Sequence, residues 1–350
     1  MSNNMNMHMD HAVIWVDDIE GTSNFLRDVV GLKQHPMEIG CSDDDPTTGG
    51  MEGVFFDGNG IWLELIKPTT PGPGMDILEK VGPGALVEIN FQPQDYDGVL
   101  REMKDKGIQM LNMDGSPMGE DGGLIKEGVG TGDDIEHTGQ RIAYWPTDST
   151  NGTSVEIFEV TPGDESGLIN IRDKMWENEA PAGPDAPWVD HIAIWVKDLD
   201  ATASFYTDVL GFERYHKEID TTVENDNEKL GAFKACFIDT KGVWLELLQP
   251  VGAGALMDTL EEKGDGYLGE ICICVNDLDA YDKSMKAKGI QLLNIDGSPL
   301  DSKNCVLEPH GEKMAYFSSE LSCGMVVEVV QPGPDATRCL PPRSHAPDWS

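Results

Sequence analysis

The sequence predicts an α+β protein built from two duplicated domains. Three observations predict it. The chain has 350 residues, enough for two separate cores. It repeats itself once over a long period. Within each copy the same order recurs twice: a strand, a helix, then further strands. The chain therefore holds four such units.

The repeat is read directly. Residues 10–31, DHAVIWVDDIEGTSNFLRDVVG, match residues 190–211, DHIAIWVKDLDATASFYTDVLG. GIWLELIKP at 60–68 matches GVWLELLQP at 242–250, and QMLNMDGSP at 109–117 matches QLLNIDGSP at 291–299. RIAYWPTD at 141–148 matches KMAYFSSE at 313–320. A period this long marks duplicated domains, not a solenoid. The domains are expected over residues 7–162 and 188–332. A linker rich in Pro, Gly and acids joins them at 163–187, and residues 333–350 form an irregular tail.

The elements follow in order. DHAVIWV is rich in strand formers, and Asp17 and Asp18 behind it are N-cap residues for a helix. Phe25 with Val29, and Leu26 with Val30, fall at helical spacing before the stop at Gly31. VFFDGNGIWLELI reads as a hairpin around a Gly-containing turn. After Gly84 the pattern resumes: ALVEINF as a strand, QDYDGVLREMKDKG as an amphipathic helix ending at Gly107, and NGTSVEIFEV as a late strand. The first copy carries a longer loop, and its Gly-rich part at 119–132 could serve as a lid.

Composition narrows the function. Asp and Glu total 63 against 25 Lys and Arg, for a net charge of −38. That field repels phosphate backbones and anionic membrane surfaces, so neither nucleic acid nor membrane is an expected partner. With 39% hydrophobic residues in short strand-like runs, the chain is expected to fold despite its charge. The seven Cys are scattered without a CxxC pair, which excludes a disulfide framework or a zinc ribbon. Cys272 and Cys274 share a strand face and read as small core residues. No apolar run suits a transmembrane helix, and the start lacks the order of a signal peptide, so a cytoplasmic location is expected. A monomer or homodimer acting on a small molecule is the expected state.

Charge inside the apolar strands sits at few places. Glu64, Glu88 and Glu156 each interrupt a strand of the first copy, and Glu246, Glu270 and Glu328 repeat them in the second. His11 and His191 open the first strands at matching positions. Period-two alternation puts Trp62 on the face of Glu64, and Trp15 on the face of His11. Trp195 and Trp244 repeat that placement. A lone buried carboxylate is costly unless it is paired, protonated or bound to metal. One His and three Glu at equivalent places in each copy therefore read as a metal-ligand set, up to two ions per chain. The four Trp serve equally as core or as walls of a substrate cup.

DHxxIWVxDL, FYxDVLGF and WLELLxP resemble the vicinal oxygen chelate superfamily, which includes glyoxalase I, methylmalonyl-CoA epimerase and extradiol dioxygenases. The bleomycin- and fosfomycin-resistance proteins belong to it as well. The resemblance covers nearly the whole chain apart from linker and tail. It implies four βαβββ modules, paired into two tandem glyoxalase-like domains with cupped mixed sheets around a divalent ion. It places first-strand ligands at His11 and Glu88 and last-strand ligands at Glu64 and Glu156. In the second copy these are His191, Glu270, Glu246 and Glu328. Modules pair in such proteins either within a copy or crosswise. One site is then His11, Glu64, Glu88 and Glu156, or His11 and Glu64 with Glu270 and Glu328.

Glu88 and Glu270 depart from the His common at that slot in glyoxalases and epimerases. An oxygen-rich set favours a hard divalent ion such as Mn²⁺, Mg²⁺, Co²⁺ or Ni²⁺, with Zn²⁺ also in play. It suits the two-His, one-carboxylate iron triad poorly. The resemblance thus implies a metal-dependent isomerase, epimerase or glyoxalase-type lyase working through an enediolate. Glu156 and Glu328 are its expected bases. A ring-cleaving Fe²⁺ dioxygenase and a non-catalytic binding protein of the bleomycin-resistance type are the alternatives. Arg141 and Lys313 match across the copies and are candidates to hold a substrate anion.

Overall fold

The structure is a computed structural model that describes residues 5–41, 43, 49–123, 141–159, 186–222, 230–241, 243–300, 306–307 and 312–333. The first copy opens with β1 (Met7–Trp15), followed by helix α1 (Ile19–Asn24). Asp18 caps that helix, its carboxylate accepting from Gly21 N at 3.0 Å. Over Phe25–Val30 the helix widens into π turns, and Gly31 closes it at φ 98°, a left-handed conformation that favours glycine. Strands β2 (Lys33–Cys41), β3 (Met51–Asp57) and β4 (Trp62–Pro68) complete the first module.

A helix absent from the sequence reading comes next, α2 (Pro73–Val81). Its lead-in, PTTPGPG, reads as loop, yet Pro73 stands at the helix start, where a missing N–H costs nothing. The second module has β5 (Ala85–Pro93), α3 (Tyr96–Asp105), β6 (Ile142–Tyr144) and β7 (Ser154–Phe158).

The second copy repeats this order. Its first module is β8 (Trp188–Trp195), α4 (Leu199–Ser204), β9 (Glu213–Asp220), β10 (Phe233–Asp239) and β11 (Trp244–Pro250). Then come α5 (Ala255–Lys263), β12 (Tyr267–Cys274), α6 (Leu278–Ala287), β13 (Val306–Leu307), β14 (Glu312–Tyr316) and β15 (Val327–Gln331). The expected linker at 163–187 is described only from residue 186 onward. Residues 160–185, the lid candidate beyond 123 and the tail beyond 333 lie outside the described residues.

Each copy folds its own mixed sheet. The orders are β2-β3-β4-β1-β5-β7-β6 and β13-β14-β15-β12-β8-β11-β10-β9. Modules therefore pair within a copy, through the antiparallel contact of β1 with β5 and of β8 with β12. That decides between the two pairings open in the sequence.

Alternation gives each sheet two faces. In the first copy Ala12, Ile14, Leu63, Leu65, Ile89, Phe91, Val155 and Ile157 turn one way into a large apolar core. Buried aliphatic and aromatic side chains of this kind contribute about 1.5–3 kcal/mol each. Ile192, Ile194, Leu245, Leu247, Ile271 and Val329 join the same core from the second copy. The two domains dock through it with approximate two-fold symmetry. Phe25 meets Phe317 at 5.1 Å, and Phe205 meets Trp145 at 6.0 Å. Lys106 donates to Asp208 O at 2.9 Å, and Lys288 to Asp28 O at 2.8 Å, each at the end of the other copy's first helix. Among the described residues no helix is long and apolar enough to cross a membrane.

Candidate metal centre

The opposite face of each sheet carries the charged residues. In the first copy four adjacent strands, β4, β1, β5 and β7, contribute one each: Glu64, His11, Glu88 and Glu156. The register arranges them as two rows. Trp62, His11, Asn90 and Glu156 lie side by side in one. Glu64, Val13, Glu88 and Ser154 lie side by side in the next. In the second copy one row reads Trp244, His191, Cys272 and Glu328, and Glu246, Ala193 and Glu270 follow in the other. The sheet thus brings together all four predicted donors of each copy.

The histidines are held from behind. Asp10 Oδ2 lies 3.0 Å from His11 Nδ1, and Asp190 Oδ2 lies 3.2 Å from His191 Nδ1. That contact leaves Nε2 facing the carboxylates. His11 Nε2 is 3.4 Å from Glu64 Oε2, and His191 Nε2 is 3.4 Å from Glu246 Oε2 and 3.7 Å from Glu328 Oε2. These are ion-pair separations rather than strong hydrogen bonds. A carboxylate behind a ring nitrogen is the usual support of a metal-ligating His. The aspartates went unassigned in the sequence reading, although the DH pair opens both repeats.

Burial and mutual repulsion raise the carboxylates. Burial pushes Glu64 and Glu246 up to about 7, against the pull of the neighbouring His and with the push of other carboxylates. Glu88 is raised by burial, opposed by His11 and by hydrogen bonds that include Ser154 Oγ at 3.2 Å. Glu156 is driven well up by burial and by the charge of Glu88, with which it shares a hydrogen bond. Two carboxylates so joined hold a proton between them. Burial and Glu328 likewise raise Glu270. For His191 burial works downward, but Asp190 and the surrounding Glu outweigh it and carry the ring to about 9. His11 is raised by the same balance. Burying so many carboxylates is costly unless they share protons or a cation, and among the described residues the donor atoms that lie close enough together for an ion are those of His191, Cys272 and Glu328.

Comparison with known proteins bears on which family builds such a site. The sequence signature of the glyoxalase/bleomycin resistance protein/dioxygenase superfamily matches residues 10–125 and again 190–307. The chain belongs to this superfamily. A stretch about the length of one copy is similar to whole relatives. The uncharacterized protein YqjC of Bacillus subtilis (strain 168) is 32% identical over 148 residues, 42% of this chain and 94% of that protein. An ethylmalonyl-CoA/methylmalonyl-CoA epimerase of Cereibacter sphaeroides is 28% identical over 144 residues, 41% of this chain and 96% of the epimerase. A mutant of 4-hydroxymandelate synthase from Streptomyces coelicolor superposes with a TM-score of 0.61 over 95% of this chain and 96% of that one. At 17% identity that likeness concerns the fold.

Within this superfamily fold, three further residues stand at the site. Tyr144 hydrogen-bonds Glu156, and Tyr316 Oη donates to Glu328 Oε1 at 2.9 Å. Both tyrosines lie in the repeated AYW/AYF segments, which was their signal. Cys272 is the third. Its Sγ, a ring nitrogen of His191 and an oxygen of Glu328 all lie within 4.8 Å of one another, and all three residues are buried. Cys272 is the small core residue that the sequence predicts, packed with Phe237, Trp244 and Cys274, and it stands in addition beside His191, its register partner across β8. Cys274 remains a packing residue beside Trp244 and Val330.

The tryptophans divide. Trp15 packs against Leu78 of α2, and Trp195 against Leu260 of α5. The helices missed in the sequence cover them, so of the two roles open for these Trp the contacts show packing. Trp62 stays by the donors, edge-on to Phe55 and His35 at 6.5 and 5.9 Å. Trp244 meets Tyr215 at 5.7 Å. Arg141 and Lys313 are corrected as well. Arg141 binds Glu159 at 2.5 and 2.6 Å and Asp97 of α3 at 2.6 Å, with its guanidinium 4.7 Å from the centre of the Tyr96 ring. Lys313 pairs with Asp279 of α6 at 2.5 Å. Their neighbours Ile142 and Tyr144, or Met314 and Tyr316, take the other face of the strand. Both cations therefore tie the sheet to a helix.

Proposed function

We propose that each domain is a divalent-metal-dependent enzyme that moves a proton next to a carbonyl, as an epimerase, isomerase or glyoxalase-type lyase. The observation that carries this reading is the set of four adjacent strands that place one His and three Glu on a single face of the sheet, in two neighbouring rows, in both copies. His11, Glu64, Glu88 and Glu156 would hold one ion, and His191, Glu246, Glu270 and Glu328 the other. A bound ion would polarise a substrate carbonyl and stabilise the enediolate left when the adjacent C–H loses its proton.

The protein's own residues supply the rest. Glu156 is buried, at 6% exposure, and its raised proton affinity suits a base that works near neutrality. Tyr144 and Tyr316 fix the orientation of the two candidate bases. Phe55 and Phe158 lie at 6.3 and 5.5 Å from the His11 ring, apolar walls that keep water away from the proton in transit. The single His per site argues against the iron triad of two His and one carboxylate. Similarity to an acyl-CoA epimerase makes branched acyl-CoA thioesters a first substrate class to test, alongside hemithioacetals and keto-cyclitols.

The test has two parts. Elemental analysis of reconstituted protein should find two divalent ions per chain, Mn, Co, Ni, Mg or Zn. A substrate that turns over in D₂O should take up deuterium at the carbon beside its carbonyl. Iron with oxygen consumption and ring cleavage would overturn the reading, as would ligand binding without metal or turnover.

A further inference from the structure

We infer that Cys272 is a metal ligand in the second domain, and that its thiolate makes the two centres of this chain chemically unequal. The inference rests on the metal reading above and deepens it. Cys272 stands between two proposed ligands on adjacent strands, paired with His191 across β8 and with Glu328 across β15. Their donor atoms converge within 4.8 Å. A buried thiol amid a ring nitrogen and a carboxylate oxygen is a ligand arrangement, not only a packing one.

The first copy supplies an independent observation at the same slot. Asn90 takes the place of Cys272, between His11 and Glu156. It is fully buried, at 0% exposure, and its amide interacts with Glu88 two residues along β5 but makes no hydrogen bond of good geometry. A buried amide left so is costly. Each copy thus puts a buried side chain with a lone pair to offer at this point of the row. The neighbouring slot is an internal control. There Val13 and Ala193 stand, both apolar, so the sheet does not place polar atoms on this face at random.

The two donors differ in kind. An amide oxygen is hard, and a thiolate is soft. The first centre should prefer Mn²⁺ or Mg²⁺, the second Co²⁺ or Zn²⁺. Binding at the second centre replaces the S–H bond of Cys272 with a sulfur–metal bond. The thiol proton leaves to solvent, and nothing is oxidised or reduced.

Cobalt titration of the full chain tests this. The probe is Co²⁺ alone, followed by equilibrium binding and by the near-ultraviolet thiolate-to-cobalt charge-transfer band. The wild type should bind two ions, one of which produces the band. Cys272→Ala should abolish the band and weaken that ion by roughly 10–100-fold or more, the loss that even outer partners of a metal site cause. Cys274→Ala and His11→Ala should keep the band. Asn90→Cys should add a second equivalent of it, a gain that loss of folding cannot mimic. Two bound ions without a band in the wild type would overturn the thiolate assignment and leave the metal reading standing. A band that survives Cys272→Ala would do the same. No cobalt binding at all would overturn both.

Discussion

Across its central strands the first domain presents Trp62, His11, Asn90 and Glu156, and the second presents Trp244, His191, Cys272 and Glu328. The His and Glu positions agree, and so do the aspartates behind the rings. The surroundings do not. His35 faces Trp62 where Tyr215 faces Trp244. Ser154 supports Glu88 through a hydrogen bond, whereas Val326 stands in its place, exposed to 42%. Phe158 lies against His11, and Val330 occupies its place in the second copy. Under the proposed function the shared His and Glu would run the same type of proton transfer in both domains, while the Asn90–Cys272 difference and the walls would set their metal and substrate preferences apart.

The largest expected effect separates the two domains by their bases. In Glu156→Gln the first site keeps its shape but cannot take a proton, and Glu328→Gln does the same for the second. Each single variant should remove its own domain's share of deuterium exchange. The double variant should fall by roughly 10²–10⁴-fold with substrate binding little changed. The shares need not be equal, and their ratio for each substrate measures how far the domains have diverged. Undiminished exchange in the double variant would remove Glu156 and Glu328 as bases.

Much of this site was legible in the sequence because a charge inside an apolar strand is a strong signal and the repeat doubles it. Glu64 in IWLELI and Glu246 in VWLELL could hardly both be accidents of a half-exposed strand. The pairing of modules was not legible, since it depends on which strand lies beside β1, and strand order leaves no local trace. Arg141 and Lys313 misled for a related reason. Strand phase decides their face, and the phase of β6 and β14 is set by Tyr144 and Tyr316, which sequence alone does not anchor. Helices α2 and α5 hid behind Gly- and Pro-rich leads, and with them the packing role of Trp15 and Trp195.

Acidity should distinguish metal-free from metal-bound protein. In the free chain Glu64 and Glu246 titrate at about 7, above the ordinary carboxylate value of 4.5, and His191 at about 9, above 6.5. In each case the fold binds the proton more tightly than the unfolded chain does. Stability is therefore fully present below the unfolded values and is lost as pH rises, between 4.5 and 7 for the carboxylates and between 6.5 and 9 for His191. The loss is on the order of a few kcal/mol for each group taken alone. Urea midpoints in chelator should fall across this range, and saturating metal should flatten the fall. A midpoint that rises with pH in chelator would mean that the clusters are not protonated in the fold.

The domain interface gives a smaller effect with a built-in symmetry check. Gly84 has φ +79°, and a Cβ there would lie 2.3 Å from the backbone of Gly324 and Met325. Gly266, its counterpart, has φ +77° and would meet Thr153 N at 2.3 Å. Gly107 shares the left-handed conformation at φ +75° but has nothing within 4 Å. Gly107→Ala should cost roughly 1–2 kcal/mol from conformation alone. Gly84→Ala and Gly266→Ala should each cost about 1–3 kcal/mol more, because backbone must move apart. Denaturant midpoints compare the three. Equal costs would show that the domains separate freely at this contact.

The smallest effect belongs to Arg141 and Lys313, and it tests their removal from the site. Arg141 holds two carboxylates, one through a paired contact to Glu159, and lies against Tyr96. Its side chain is 20% exposed, so water screens the contact only in part. Lys313 meets Asp279, itself 61% exposed, in a geometry that solvent weakens more. Arg141→Ala should thus cost about 1–2 kcal/mol, and Lys313→Ala less than about 1 kcal/mol. Added salt should narrow the gap, since screening removes the exposed part of each pair. Neither change should alter KM for a substrate of either domain, because both side chains leave the sheet on the face opposite the donors. A rise in KM confined to one domain, with stability unchanged, would return that cation to the substrate and reverse the assignment of its face.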